Sequence, residues 1–249
     1  MRFTGRVAIS RPLTTGTHAI EVEKPAAFSF RPTQFTWLQI ETPQGWDVRP
    51  MSLATSPTRP RLEYAVRLSD SAYKQAFAAL RQGDRVGVAG PVGDFVLDET
   101  RPAVLVAGGI GITPLKGMAE YAADVGMSIP IRLLYSSRSK EEIVYKSELE
   151  ALARKNPEFH VLHTLTQEPM GGPWRGRTGR IDSAFSGTRR AGLTTRFIMY
   201  AGSPRWSRRC WTSWKPSTSR QLTSALRHSA GTRVSASTGS SRGLRRSYP

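Results

Sequence analysis

Three short segments bring together groups able to hold a ligand or take part in a reaction. Ala107-Gly108-Gly109-Ile110-Gly111-Ile112-Thr113-Pro114 stands between an apolar run and a stretch with helical spacing. Glycines let backbone N–H groups approach a pyrophosphate, and the start of a helix adds partial positive charge there. Thr113 is placed to cap that helix, and Pro114 suits its first turn. A tight strand–helix turn that binds nothing is the plainer reading of these residues. The strand before and the helix after favour a nucleotide. Arg49-Pro50-Met51-Ser52 offers a cation for a phosphate and a hydroxyl for a heterocycle edge. Its bland alternative is a strand-end Arg in solvent. Gly90-Pro91-Val92-Gly93-Asp94-Phe95 reads locally as a hairpin turn.

Other chemistries find no support. The single Cys excludes an internal disulfide framework and any in-chain iron–sulfur or zinc site built on several thiolates. His18, His160 and His163 lack the helical spacing of paired metal ligands, so no metal site is expected.

The elements that must carry these segments fall into two kinds. Residues 6–9, 18–22, 35–40, 62–66 and 85–88 are strand-like, separated by turn residues such as Pro43, Gly45, Pro57 and Pro60. That spacing suits a small antiparallel barrel, interrupted by one helix near residues 72–80. From Pro102 the period changes. Ala103-Val104-Leu105-Val106-Ala107 is a continuous apolar run, as in a parallel strand covered on both faces. A helix from Pro114 to Val125, a strand at 131–135, a helix near 146–154 and strands at 159–164 and 196–200 continue a β/α series. The predicted fold is therefore β + α/β in two domains, 1–99 and 100–204.

The order and spacing of the motifs resemble the ferredoxin–NADP reductase superfamily of flavin oxidoreductases. Arg49-Pro50-Met51-Ser52 is similar to that family's Arg-x-Tyr/Phe-Ser flavin motif. Gly90–Phe95 is similar to its turn before the domain junction, and Gly108–Pro114 to its Gly-x-Gly-x-x-Pro nicotinamide-nucleotide loop. Ala201-Gly202-Ser203-Pro204 is similar to its Cys-Gly-x-Pro element, and Trp174–Arg180 to its Gly-rich segment at the nucleotide cleft. The resemblance covers about residues 3–204. It implies an antiparallel flavin-binding barrel followed by a parallel-sheet nucleotide-binding α/β domain.

The resemblance also implies roles. Arg49 holds a phosphate of FAD, with FMN as the alternative, and Pro50 and Met51 lie along the flavin. Ser52 sits at the reactive edge as the catalytic residue, and Ser71 adds a pyrophosphate contact. Gly108, Gly109, Gly111, Thr113 and Pro114, with Gly202, Ser203 and Pro204, hold NADPH or NADH. Arg138 follows a strand that lacks the acidic residue an NAD ribose prefers, which favours the 2′-phosphate of NADPH. The implied activity moves hydride from NAD(P)H to flavin and then electrons to a separate acceptor, ferredoxin or an oxygenase component. A flavin or ferric reductase is the alternative within this class. Two residues depart from the pattern: Met51 replaces the usual aromatic, and Ala201 replaces the Cys that assists hydride transfer.

Charge separates the body from the tail. The 249 residues carry a formal net charge of +17. Nine Arg and one Lys, with no Asp or Glu, follow Pro204, leaving +7 on residues 1–204. A basic nucleic-acid-binding protein is the reading from another class, and it rests almost wholly on this tail. Trp and Arg crowd there without a helical stripe. Codons for Arg205–Trp211, read from one base upstream, spell Ala-Met-Val-Glu-Ala-Met-Leu, a good helix former. The same shift further on recovers a terminal aromatic and a stop. Residues 205–249 are therefore expected to be a disordered, frame-shifted tail. No apolar run nears the roughly 20 residues of a membrane span, and a cytoplasmic protein is expected.

Overall fold

The structure, a computed structural model, describes residues 1–94, 96–168, 172–181 and 197–201, the span 197–200 by its backbone alone. The first half contains β1 (Arg2–Thr14), β2 (Thr17–Glu23), β3 (Phe35–Thr42), β4 (Gly45–Ser52), β5 (Arg61–Arg67), α1 (Ala72–Ala79) and β6 (Arg85–Val92). The strands form one antiparallel sheet in the order β4-β3-β6-β1-β2-β5. Alternation drives it: Thr36, Leu38, Ile40 and Thr42 of β3 point inward, while Trp37 and Glu41 face out. Tyr73 and Phe77 of α1 enter the same core, with Phe28, Leu38, Leu62 and Val86.

The strand β4 is a correction. Sequence reading drew no strand between residues 40 and 62, yet Arg49–Ser52 end a strand paired with β3 along its whole length. None of its residues is fully buried, so the apolar alternation that marks a half-buried strand is missing. Pro50 is tolerated because β4 is an edge, where a missing N–H costs no ladder bond.

The second half alternates. β7 (Ala103–Gly108) leads through a 3-10 turn, Gly109–Gly111, into α2 (Ile112–Asp124). Then follow β8 (Ile131–Ser137), α3 (Lys146–Lys155), β9 (Phe159–Leu165), β10 (Arg177–Thr178) and β11 (Phe197–Ala201). The sheet order is β10-β9-β8-β7-β11, and every pairing is parallel. The two-residue β10, inside the segment Trp174–Arg180, is too short for any periodicity to announce. The helix begins earlier than its sequence suggested. Gly111 occupies the capping position, and Thr113 lies inside the first turn, its hydroxyl donating to the Ile110 carbonyl at 3.2 Å. The 3-10 turn runs straight into the helix, which removes the place for a Thr113 cap.

One face of the parallel sheet packs on α2 and α3. That core also takes in Ala19, Ala54 and Ala65 from the barrel, so the two halves share it. The expected domain boundary at residues 99–100 falls between the end of β6 and the start of β7. Among the described residues no helix is long and apolar enough to cross a membrane, and no cluster of residues could hold a metal ion.

Candidate functional site

The cleft is built by laying one edge of the barrel along α2. β4 and β5 are the two edges of the six-stranded sheet. The segment after Ser52 turns onto β5, with Ala54 N–H donating to the Glu63 carbonyl at 2.8 Å. Gly117 of α2 lies against this segment. A Cβ there would stand 2.7 Å from the Thr55 carbonyl oxygen and 3.0 Å from that of Leu53. Only glycine permits so close an approach of helix to backbone. Further along, Arg67 at the end of β5 reaches the Gly-rich loop: its Nη1 would lie 4.0 Å from a Cβ on Gly109.

The seam between the halves is ionic. Lys116 Nζ donates to Glu63 at 2.9 Å and to Glu120 at 3.4 Å, and both Lys116 and Glu63 are buried. Arg11 pairs with Glu63 at 3.0 Å and with Glu148 at 3.6 Å. Burial pushes the Glu63 carboxyl above its ordinary range, although Lys116 and Arg11 pull the other way. Tyr145 holds a left-handed φ of 60°, its ring 5.4 Å beneath the Lys116 ammonium. Burial, and next the Glu63 charge, drive its hydroxyl pKa well up.

Asp124 closes the far end of this seam. It accepts from Thr58 at 2.6 Å, Arg59 at 2.9 Å and Lys155 at 2.7 Å. Burial raises its pKa, but the bonds from Lys155 and Thr58 and the Arg59 charge outweigh that and hold it low. A lowered native pKa stabilises the fold above the ordinary carboxylate range, and the gain is lost as pH falls through the native value. Asp124→Asn is therefore expected to cost about 1–2 kcal/mol at pH 7. The deficit should be smaller at a pH below the ordinary carboxylate range, where the native group too begins to protonate. Urea unfolding at the two pH values checks this.

On the barrel side, Arg49 lies at the free edge of β4. Its guanidinium donates to Asp47 at 2.7 Å and sits 5.7 Å over the Tyr73 ring in the first turn of α1. Tyr73 is anchored by its hydroxyl to the Leu38 carbonyl at 3.0 Å. Burial, then the Asp47 charge, raise its pKa. Ser71 precedes this helix, and its exposed side chain makes no capping bond to it. A cation over Tyr73 and the Ser71 hydroxyl thus both lie by the start of α1, donor types that fit a phosphate. Met51 packs on the barrel core.

On the nucleotide side, Gly108 stands beside Ser136, and Ala201 beside Ala107. Exposed Arg138 follows β8 directly. The Gly-rich loop, Arg138 and Ala201 therefore share the carboxyl edge of the parallel sheet, flanking β7 where the strand order reverses. Open α/β sheets bind ligands at such a point. Gly109 takes a left-handed φ of 53°, and its carbonyl accepts from Tyr135 Oη at 3.2 Å. Burial raises the Tyr135 pKa to about 12, so this hydroxyl remains a donor. Thr113 and Pro114 are buried in α2. Gly202, Ser203, Pro204, the tail 205–249 with its proposed frame, and Phe95 lie outside the described residues.

Sequence reading missed Lys116, Gly117, Glu63, Arg67, Tyr135 and Glu142. Arg67 carried the one usable signal, a basic residue closing the strand before the helix of Ser71.

Comparison with known proteins agrees with this geometry. Residues 105–210 match the oxidoreductase NAD-binding domain family. A ferredoxin–NADP reductase of Sorangium cellulosum is 33% identical over 188 residues, covering 73% of this chain and 76% of that protein. The ferredoxin–NAD(P)+ reductase component of naphthalene 1,2-dioxygenase/salicylate 5-hydroxylase systems from Ralstonia is 33% identical over 156 residues. That match covers 61% of this chain and 46% of the relative, so the chain spans about half its length. Among solved structures, a ferredoxin–NADP+ reductase from Neisseria gonorrhoeae with bound FAD and NADP superposes with a TM-score of 0.73 at 18% identity, over 85% of this chain and 89% of that one. A two-domain fold of this kind, and a relative of that identity over three-quarters of its length, establish that the chain belongs to the ferredoxin–NADP reductase family of NAD(P)H-dependent oxidoreductases.

Proposed function

We propose that this protein oxidises NADPH, takes the hydride onto a bound FAD and passes electrons to a separate carrier protein, ferredoxin or an oxygenase component. The observation that carries this reading is the cleft: Leu53–Thr55, continuing from Arg49–Ser52, packs on Gly117 of the helix that follows the Gly108–Gly111 loop. When bound, the flavin supplies the hydride-accepting and electron-releasing chemistry.

The protein groups orient and exclude. Arg49 and Ser71 hold the flavin phosphates at the start of α1. Ser52, the last residue of β4, places a hydroxyl beside the reactive edge. Gly108, Gly109 and Gly111 bring backbone N–H groups to the nucleotide pyrophosphate, ahead of buried Thr113 and Pro114. Arg138 meets the 2′-phosphate, which favours NADPH over NADH. Gly202, Ser203 and Pro204, outside the described residues, are assigned to the nicotinamide on their sequence pattern. The relatives that serve oxygenase systems support a protein acceptor.

Reconstitution with FAD tests the reading. The protein should become yellow, and NADPH should bleach it without oxygen faster than NADH does. A folded sample that takes up neither FAD nor FMN would overturn the assignment. Arg49→Ala should weaken flavin binding about 10- to 100-fold, the loss of a charge-assisted phosphate contact. Flavin fluorescence titration measures it.

A further inference from the structure

Arg67 lies between the Gly-rich loop and one carboxylate. Its Nη1 points toward Gly109, and its other terminal nitrogen pairs with Glu142. Glu142 lies on the loop between β8 and α3, and a short hydrogen-bond chain couples that loop to Gly109. Val144 N–H donates to Tyr135 Oη at 3.3 Å, and Tyr135 Oη donates to the Gly109 carbonyl at 3.2 Å. The carboxylate therefore sits where the guanidinium overlooks the Gly-rich loop. Both partners are about one-third exposed. A pair that wet is weak, and a competing anion can displace it. A dinucleotide pyrophosphate is such an anion, since it offers several oxygens to a guanidinium's fork.

We propose that Glu142 is a built-in competitor of the nucleotide: its carboxylate occupies Arg67 in the empty cleft, and Arg67 moves to the incoming phosphate when NAD(P)H binds. No bond is made or broken beyond hydrogen bonds. Glu142 touches no substrate and acts only through Arg67. It raises the nucleotide's apparent Kd by the reciprocal of the fraction of time Arg67 is free. If Arg67 is latched about 80% of the time, that factor is about five. The proposal rests on the nucleotide reading of Gly108–Gly111.

A double-variant cycle on the FAD-loaded protein tests it, with NADP+ as the probe and calorimetry as the readout. Glu142→Gln should tighten NADP+ about fivefold, and Arg67→Met should weaken it about tenfold or more. In the Arg67→Met background, Glu142→Gln should change affinity by less than about twofold, since nothing is left to compete for. An equal tightening with and without Arg67 would show simple field repulsion and overturn the latch. No change on Glu142→Gln would also overturn it. A chain that binds FAD yet takes up no NADP+ in any form would overturn the latch and the nucleotide reading together, a result distinct from the other two.

Discussion

Lys116→Met should lower the free energy of unfolding by about 3 kcal/mol and the melting temperature by roughly 10 °C. The reason is what the substitution leaves behind. Glu63 is buried at 5% exposure, and Lys116 supplies its Oε2 with a bond of 2.9 Å. Without the ammonium, one carboxylate oxygen keeps its burial and loses its cation. Arg11 still reaches the other oxygen at 3.0 Å, which holds the loss to the lower end of the range for broken buried pairs. Burial already pushes the Glu63 pKa up, so desolvation outweighs the local cations even in the intact protein.

That balance yields a second arm. The double variant Glu63→Met, Lys116→Met removes both charges and fills the space with apolar side chains, and should recover most of the lost stability. Arg11 then turns to Glu148, already 3.6 Å away, and Glu120 keeps Arg59 and the Ser56 N–H. Thermal unfolding followed by circular dichroism compares the three proteins. A double variant no more stable than the single one would show that the pair is a net source of stability.

Gly117→Val should slow hydride transfer about 100-fold, the cost of misplacing reacting groups by about 1 Å. The added carbons meet backbone on the facing segment, with Thr55 O, Leu53 O and Thr55 N all within 3.1 Å of the first of them. Backbone cannot rotate aside as a side chain can, so α2 must shift away from Leu53–Thr55. The Gly-rich loop moves with α2, whereas Ser52 moves with β4. The variant thus parts the two halves of the site, with about 1–3 kcal/mol of overpacking cost. Gly16→Ala is the control, since nothing lies within 4 Å of a Cβ there. Rapid-mixing measurement of flavin bleaching by NADPH reads the rate. A folded Gly117→Val protein with an unchanged rate would show that this contact does not set the distance.

Much of this molecule is legible in one dimension because its signals are local. The apolar run Ala103–Ala107 must be covered on both faces, and the glycines after it admit only a tight turn into a helix. Alternation in residues 35–40 declares a half-buried strand, whereas the strand read at 62–66 is buried on both faces. Ser71, Arg138 and the Gly-rich loop stood out as candidates because each lies at an element's end, whereas Arg49 stood out only through the pattern around it. Edge strand β4 escaped because an edge buries neither face well: Trp46 and Val48 are exposed, and Asp47 and Arg49 are half-buried. Thr113 was misjudged because a 3-10 turn and a helix start share the same residues.

The seam between the domains has no trace in sequence spacing. Glu63 and Lys116 are 53 residues apart, and Arg67 and Glu142 are 75 apart. No helical or strand period links such positions, and neither partner is unusual in its own segment. A charge in a sequence reads as solvent-facing until some other element covers it. Gly117 is equally silent, a helix glycine whose purpose is a backbone lying 64 residues upstream at Leu53. Local pattern thus determines which elements form and which loops can hold phosphates. The docking of α2 against residues 53–59 and Glu63 determines which charges are buried together, and the loop of Glu142 determines what guards Arg67, because those are properties of two surfaces in contact.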